Sequence, residues 1–223
     1  MSKCLFIAGT DTDVGKTVVS IAMMRYFKKQ NMKVVGYKPV AAGAEYINGH
    51  LRNNDALLLH KESNIEIEYE SVNPFVFQEA ASPHIAAKRS NTQVDCKVLN
   101  TQLEALTHLS DRVIVEGAGG WHVPISDNTT LDAWVIEQDL EVVLVVGIKL
   151  GCLNHALLTM NAIVASGLTL RGWVANSLNE STENYEEMVL FLKQHITAPL
   201  IGEVPFIEGF IEKDSYLDFD MKF

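Results

Sequence analysis

The sequence has little of what staples a small fold together from outside. Its three cysteines, Cys4, Cys96 and Cys152, are odd in number, far apart and outside any C-x-x-C spacing, which argues against a disulfide framework or a zinc knuckle and favours a reducing compartment. None of the seven histidines has a partner at metal-ligand spacing, so no zinc site is expected. Long apolar runs are missing too. The longest, Val142 to Ile148, ends at Lys149 and falls far short of a membrane span. The apolar stretch Cys4 to Ala8 is too short for the core of a signal peptide. Positive charge is also scarce: 18 Lys and Arg face 28 Asp and Glu, for a formal charge of -10. Such a field repels nucleic acid and anionic lipid, so neither is an expected partner. These absences together give the expectation of a cytoplasmic protein.

What is present is an ordinary globular composition: 223 residues, 48% hydrophobic and 21% charged, with only 6 prolines. A single domain over residues 1–223 is expected. Short runs rich in β-branched residues recur between helix-like stretches: Leu5-Phe6-Ile7, Val34-Val35, Val113-Ile114-Val115, Val142 to Val146, and Trp173-Val174-Ala175. Strands apolar on both faces belong to a parallel sheet covered by helices on both sides. Val19, Met23, Tyr26 and Phe27 stand at helical spacing and predict a βαβ unit from Cys4 to Tyr37. Further helices are predicted over 155–166, stopped by Gly167, and over 183–195, ahead of Pro199. Residues 62–90 give mixed signals and no element. The stretch from Glu208 onward is acidic and aromatic, and is expected to cover the fold loosely or to order with ligand.

The strongest motif is Gly9-Thr10-Asp11-Thr12-Asp13-Val14-Gly15-Lys16-Thr17, set between a predicted strand and a predicted helix. In that setting backbone N–H groups face a phosphate, Lys16 neutralises its oxygens, and the Thr17 hydroxyl is a ligand for Mg²⁺. The spacing is a variant of G-x-x-x-x-G-K-[ST], with Thr10 at the first glycine position and Gly9 one residue earlier. Mg²⁺ requires further oxygen ligands. Glu116 follows the strand 113–115 and leads into Gly117-Ala118-Gly119-Gly120. Asp55, in Leu51-Arg52-Asn53-Asn54-Asp55-Ala56, serves equally well as a ligand or as the cap of a helix beginning at Ala56. Lys38-Pro39-Val40 closes the second strand at the carboxyl edge, where open α/β sheets place ligands. A lysine there suits an oxyanion or a carboxylate.

Five blocks taken in order resemble the dethiobiotin synthetase family: residues 9–17, Gly36-Tyr37-Lys38-Pro39-Val40, residues 51–56, Val115 to Trp121, and Lys149-Leu150-Gly151-Cys152-Leu153-Asn154-His155-Ala156. The likeness runs from about Lys3 to Pro205 and continues through Gly172-Trp173-Val174-Ala175-Asn176 and Gly202-Glu203-Val204-Pro205. It implies a P-loop NTPase-like α/β fold and a MgATP-dependent ring closure that makes dethiobiotin from 7,8-diaminononanoate and carbon dioxide or bicarbonate. It further implies catalytic roles for Lys16, Lys38 and Thr12, and magnesium ligands at Thr17, Asp55 and Glu116. Nucleotide contacts fall on Asp13, Val14, Gly15, Lys16, Thr17 and Val18, on Glu116, Gly117, Ala118 and Gly119, and on the adenine side on Asn176, Pro205 and Glu212. Substrate contacts fall on Thr12, Lys38, Ala42 and Gly119. Leu150, Gly151 and Asn154 would be supplied across a homodimer interface, from the partner subunit. Ala42 departs from the serine common in the family, and Asp13 replaces a glutamate found in some members.

Two other classes share the loop. Partitioning ATPases of the same superfamily carry a signature lysine five residues before the loop lysine, where this chain has Asp11. Glutamine-dependent amide synthetases of the cobyrinic acid type need a glutaminase domain, for which 223 residues leave no room.

Overall fold

The computed structural model describes residues 3–206 and 208. In chain order the elements are β1 (Cys4–Gly9), α1 (Lys16–Lys29), β2 (Val34–Tyr37), β3 (Val40–Ala41), β4 (Glu45–Ile47), β5 (His50–Arg52), α2 (Asn54–Glu62), α3 (Tyr69–Val72), β6 (Phe75–Val76), α4 (Pro83–Arg89), α5 (Cys96–Leu109), β7 (Arg112–Glu116), α6 (Leu131–Glu137), β8 (Glu141–Ile148), α7 (Cys152–Ala165), β9 (Leu170–Ser177), α8 (Tyr185–His195) and β10 (Leu200–Val204). The main sheet has six strands in the order β10-β9-β8-β1-β7-β2, and every pair in it is parallel.

The alternation of side chains along these strands builds two cores. Cys4, Phe6 and Ala8 face one layer with Val113, Val115, Leu144, Val146 and Trp173. Leu5 and Ile7 face the other, with Ile114, Val143, Val145 and Val174. Helix α1 covers the second layer with Val19, Met23, Met24 and Phe27, while α5, α6, α7 and α8 cover the first through residues such as Leu103, Trp134, Ile163 and Leu192. Double-sided burial is the reason the strands read as continuous apolar runs. Among the described residues, no helix is long and apolar enough to cross a membrane.

The mostly parallel α/β architecture agrees with the sequence reading, and several details correct it. β1, α1 and β2 form the βαβ unit expected from Cys4 to Tyr37, with β7 inserted between its two strands. α7 begins at Cys152, ahead of the predicted 155, and α8 begins at Tyr185. β10 extends the sheet where no strand is predicted. α5 is absent from the expectation although Leu99, Leu103 and Leu106 have helical spacing and are buried. Residues 62–90, which yield no element from sequence, hold α3, β6 and α4. Trp134 and Trp173 are core residues.

Helices α1 and α2 are clamped at Glu62. Its carboxylate accepts a hydrogen bond from Arg25 Nη2 at 2.9 Å and pairs with Lys28, whose ammonium also donates to the Glu62 carbonyl. Burial pushes this carboxyl up, but the two cations outweigh it and hold it below its ordinary value. A lowered carboxyl stabilises the fold above its unfolded pKa, and that stability disappears as pH falls through the folded pKa. Glu62→Gln is therefore expected to cost about 1 kcal/mol at neutral pH, or about 2–4 °C in Tm for a chain of this size. Melts at descending pH should show the gap to wild type closing once Glu62 itself protonates. A gap independent of pH would assign the loss to packing.

Candidate active site

Three strand ends build the site. β1 runs into the loop 10–15, β7 ends at Glu116, and β2 ends just before Lys38. The loop turns through two left-handed residues, Asp13 at φ 57° and Gly15 at φ 91°. Gly15 is the N-cap of α1. A Cβ at Gly15 would lie 2.1 Å from Asn176 Nδ2, and one at Gly9 would lie 2.9 Å from Val14 Cγ2 and 3.0 Å from Lys16 Nζ. The loop thus needs glycine at 9 and 15. Thr10 is not among its left-handed residues, and its amide is tied to the Val145 carbonyl of β8 at 3.1 Å. That explains why the variant spacing works.

Lys16 is buried, and its ammonium donates to the Asp11 carbonyl at 3.0 Å. Burial and the neighbouring Lys38 pull its pKa down to about 8. It stays mostly protonated at neutral pH, and a bound polyanion would strengthen that charge. Lys38 is only 4% exposed. Its Nζ donates to Glu116 Oε1 at 2.7 Å, to the Gly117 carbonyl at 3.0 Å and to Asp55 Oδ2 at 3.3 Å. Burial works to lower this ammonium, but Glu116 and Asp55 outweigh burial and hold it above its ordinary value. Thr17 Oγ1 donates to the same Glu116 oxygen at 2.9 Å. Glu116 Oε2 is buried without a hydrogen-bond partner among the described residues.

The structure removes one of the two readings of Asp55, the helix cap. The cap of α2 is Asn53, whose side chain accepts from the Ala56 amide at 3.2 Å. Asp55 is left free to reach Lys38.

These groups open onto a cleft of about 930 Å³, lined by Thr12, Asp13, Gly15, Lys16, Thr17, Val18, Lys38, Ala42, Asp55, Ala118 and Gly119. Its opposite wall comes from Ala80 to Pro83 and from His122 to Pro124, segments the sequence reading did not place at the site. Val14 is buried beneath the loop, where its carbonyl accepts from Asn176 Nδ2 at 2.9 Å. Pro205 lines a separate hollow of about 660 Å³ with Tyr185, Glu203 and Phe206. Glu212 lies outside the described residues. Leu150, Gly151 and Asn154 do not line the cleft. They stand at the start of α7, where Leu150 is 97% exposed. Lys149, just ahead of them, pairs with Asp11 Oδ2 at 3.2 Å. Accepting from the Thr12 amide and pairing with Lys149 hold the Asp11 carboxyl below its ordinary value. Cys152 is buried and its thiol is pushed up chiefly by that burial, as expected of a packing residue and not of a nucleophile.

A family model described as an AAA domain matches residues 3–213. The ATP-dependent dethiobiotin synthetase BioD of Vibrio vulnificus (strain YJ016) is 48% identical over 223 residues, which is 99% of this chain and 98% of that protein. The enzyme of the same name from Vibrio parahaemolyticus serotype O3:K6 (strain RIMD 2210633) is 49% identical over 214 residues, covering 96% and 94%. The chain belongs to the dethiobiotin synthetase family. Among solved structures, the MinD cell division protein of Aquifex aeolicus aligns with a TM-score of 0.60 over 95% of this chain and 85% of that one, at 14% identity. A likeness that distant shows the P-loop fold alone. It does not move the chain out of the dethiobiotin synthetase family towards the partitioning ATPases, and their signature lysine position is here Asp11, paired with Lys149.

Proposed function

We propose that this chain is a cytoplasmic, single-domain, homodimeric dethiobiotin synthetase that closes a ureido ring on 7,8-diaminononanoate using carbon dioxide and MgATP. The observation that carries the reading is Lys38: a buried ammonium held by Glu116 and Asp55 within the same cleft as the phosphate loop. One amine of the diamine adds to carbon dioxide and loses a proton, giving a carbamate whose charge suits Lys38 and the loop amides. A carbamate oxygen attacks the terminal phosphorus of ATP and ADP departs, with Lys16 neutralising the transferred group. The second amine then attacks the carbonyl carbon, loses its proton and expels phosphate. Held beside the mixed anhydride, it reacts as an intramolecular nucleophile.

The donor set fits magnesium. Thr17, Asp55 and Glu116 offer hard oxygens, and Glu116 Oε2, without a hydrogen-bond partner among the described residues, is a buried acceptor with capacity left. Those three residues would hold the ion, which supplies charge neutralisation at the phosphates. Asp13, Val14, Gly15 and Val18, with Gly117, Ala118 and Gly119, would cradle the nucleotide, and Asn176 and Pro205 would face adenine. Thr12, Gly119 and Ala42 would line the diamine, with no hydroxyl at 42.

The decisive experiment supplies the purified protein with diamine, MgATP and carbon dioxide labelled with heavy oxygen, in ordinary water. Mass spectrometry should find dethiobiotin and, in step with it, one heavy oxygen in the released phosphate, because the attacking carbamate oxygen leaves with phosphorus. No dethiobiotin would defeat the reading, and unlabelled phosphate from still-labelled carbon dioxide would defeat the carbamate route.

The homodimer rests on α7 and the turn ahead of it. Leu150 just ahead of the helix, and Leu158 and Val164 on it, are large apolar residues left exposed. Asn154, in the first turn of α7, would then serve the partner's site. Mixing Lys16→Ala and Asn154→Ala proteins under subunit exchange should restore activity, since one site of each heterodimer receives both wild-type residues. No recovery despite exchange would place the site within one chain.

A further inference from the structure

Lys38 sits where the chain leaves the sheet. β2 ends at Tyr37, and Pro39 has no N–H to give, so the main-chain groups of Lys38 have no ladder to join. The end of α3 supplies both partners. The Lys38 amide donates to the Val72 carbonyl at 2.8 Å, and the Lys38 carbonyl accepts from Asn73 Nδ2 at 2.7 Å. Asn73 Oδ1 accepts in turn from the Tyr69 hydroxyl at 2.9 Å. That hydroxyl accepts from the Asn53 amide at 2.9 Å. Asn53 caps α2, the helix whose first turn carries Asp55, and its Nδ2 donates to the Ala42 carbonyl at 3.2 Å. Tyr69 and Asn73 are 6% and 2% exposed.

A second path therefore joins the two residues that meet at 3.3 Å in the cleft, running behind them through Asn73, Tyr69 and Asn53. We infer that Tyr69 and Asn73 are positioning residues of the reaction, fixing the main chain of Lys38 against the start of α2 so that its ammonium stays at the edge shared by Asp55 and Glu116. α3 has only four residues, too few to hold its own shape. Buried polar groups linked in one connected chain of hydrogen bonds define a single arrangement. The Tyr69 phenol, pushed up chiefly by burial, remains a donor at neutral pH. Arg52 caps its ring at 4.1 Å and pins it from outside.

This inference rests on the proposed role of Lys38, and its test separates the two. Tyr69→Phe and Asn73→Ser are made beside Lys38→Met and a control, Ser63→Ala. The control removes hydrogen bonds to the Gly36 amide and the Leu59 carbonyl at the neighbouring helix end without touching the path. In folded protein, Tyr69→Phe and Asn73→Ser should each lower kcat about ten- to a hundredfold, the loss typical of a misplacement near 1 Å. KM for ATP should stay within about threefold, because this positioning acts on the reacting groups and not on nucleotide binding. The ¹⁵Nζ resonance of Lys38, assigned by its loss in Lys38→Met, should shift or broaden in both variants and stay in place in Ser63→Ala. Wild-type kcat with an unmoved resonance in either folded variant overturns the inference, as does an equal fall of kcat in Ser63→Ala. Full turnover in Lys38→Met defeats the functional reading instead, and the path is then judged on the resonance alone.

Discussion

Replacing Lys38 with methionine is expected to lower turnover by about a thousandfold or more, since one preorganised charge on a developing anion contributes about 3–4 kcal/mol to the transition state. Lys16→Ala should lose as much, for the same reason at the transferred phosphoryl group. Lys38 also has a structural cost attached, because its removal strands Glu116, a buried carboxylate that already has one oxygen without a hydrogen-bond partner among the described residues. Breaking such a pair by removing one partner costs about 3–5 kcal/mol. Methionine keeps the volume and makes folding the more tractable part. With the ammonium gone, magnesium chloride should raise Tm in the variant by more than in wild type, because Glu116 and Asp55 become free oxygen ligands. Steady-state turnover and melts with and without magnesium check both. A folded Lys38→Met protein of normal turnover would remove Lys38 from the chemistry.

Gly15→Ala should abolish nucleotide binding at concentrations where wild type saturates, with a loss of at least about a hundredfold in affinity. A left-handed alanine costs about 1–2 kcal/mol, and here its Cβ would also press within 2.1 Å of Asn176 Nδ2. Relief of that contact breaks the hydrogen bond from Asn176 to the Val14 carbonyl, worth about 0.5–1.5 kcal/mol, and shifts the amides meant for phosphate. Calorimetric titration with MgATP measures the affinity. The cause is separable by melting: adding Asn176→Ala to Gly15→Ala should cost less than the two single losses together, since the clash needs both side chains. Wild-type affinity in Gly15→Ala would show that the loop reaches its bound form by another path.

Whether an element is legible in the sequence depends on whether its signal is local. β1, β7 and β8 announce themselves because both faces are buried and their central residues are apolar, and the phosphate loop because glycine, lysine and threonine at fixed offsets have few other reasons to coincide. The pairing of β1 with β7 and β8 instead of β2 carries no local mark. Asp55 is ambiguous in the sequence because an acid just ahead of an apolar helix suits a cap as well as a metal ligand, and the observed hydrogen bond from the Ala56 amide to Asn53 Oδ1 removes only the first of these. Tyr69 and Asn73 are invisible for a different reason. α3 and β6 span four and two residues, too short a window for a helical or strand period to repeat. Their hydrogen bonds also join residues from Lys38 to Phe75.

The sheet order also dictates when the phosphate loop can exist. Cys4 pairs with Val113 and Leu5 with Glu141, so β1, an interior strand of the finished sheet, waits for both neighbours until β7 and then β8 have left the ribosome. Until then, Leu5, Phe6 and Ile7 form an apolar strand with two open edges, the kind of segment that seeks a partner in another nascent chain. Such distant pairings are slow to find. A nucleotide therefore has no finished loop to bind until both neighbours are made, and misassembly is the hazard of that interval.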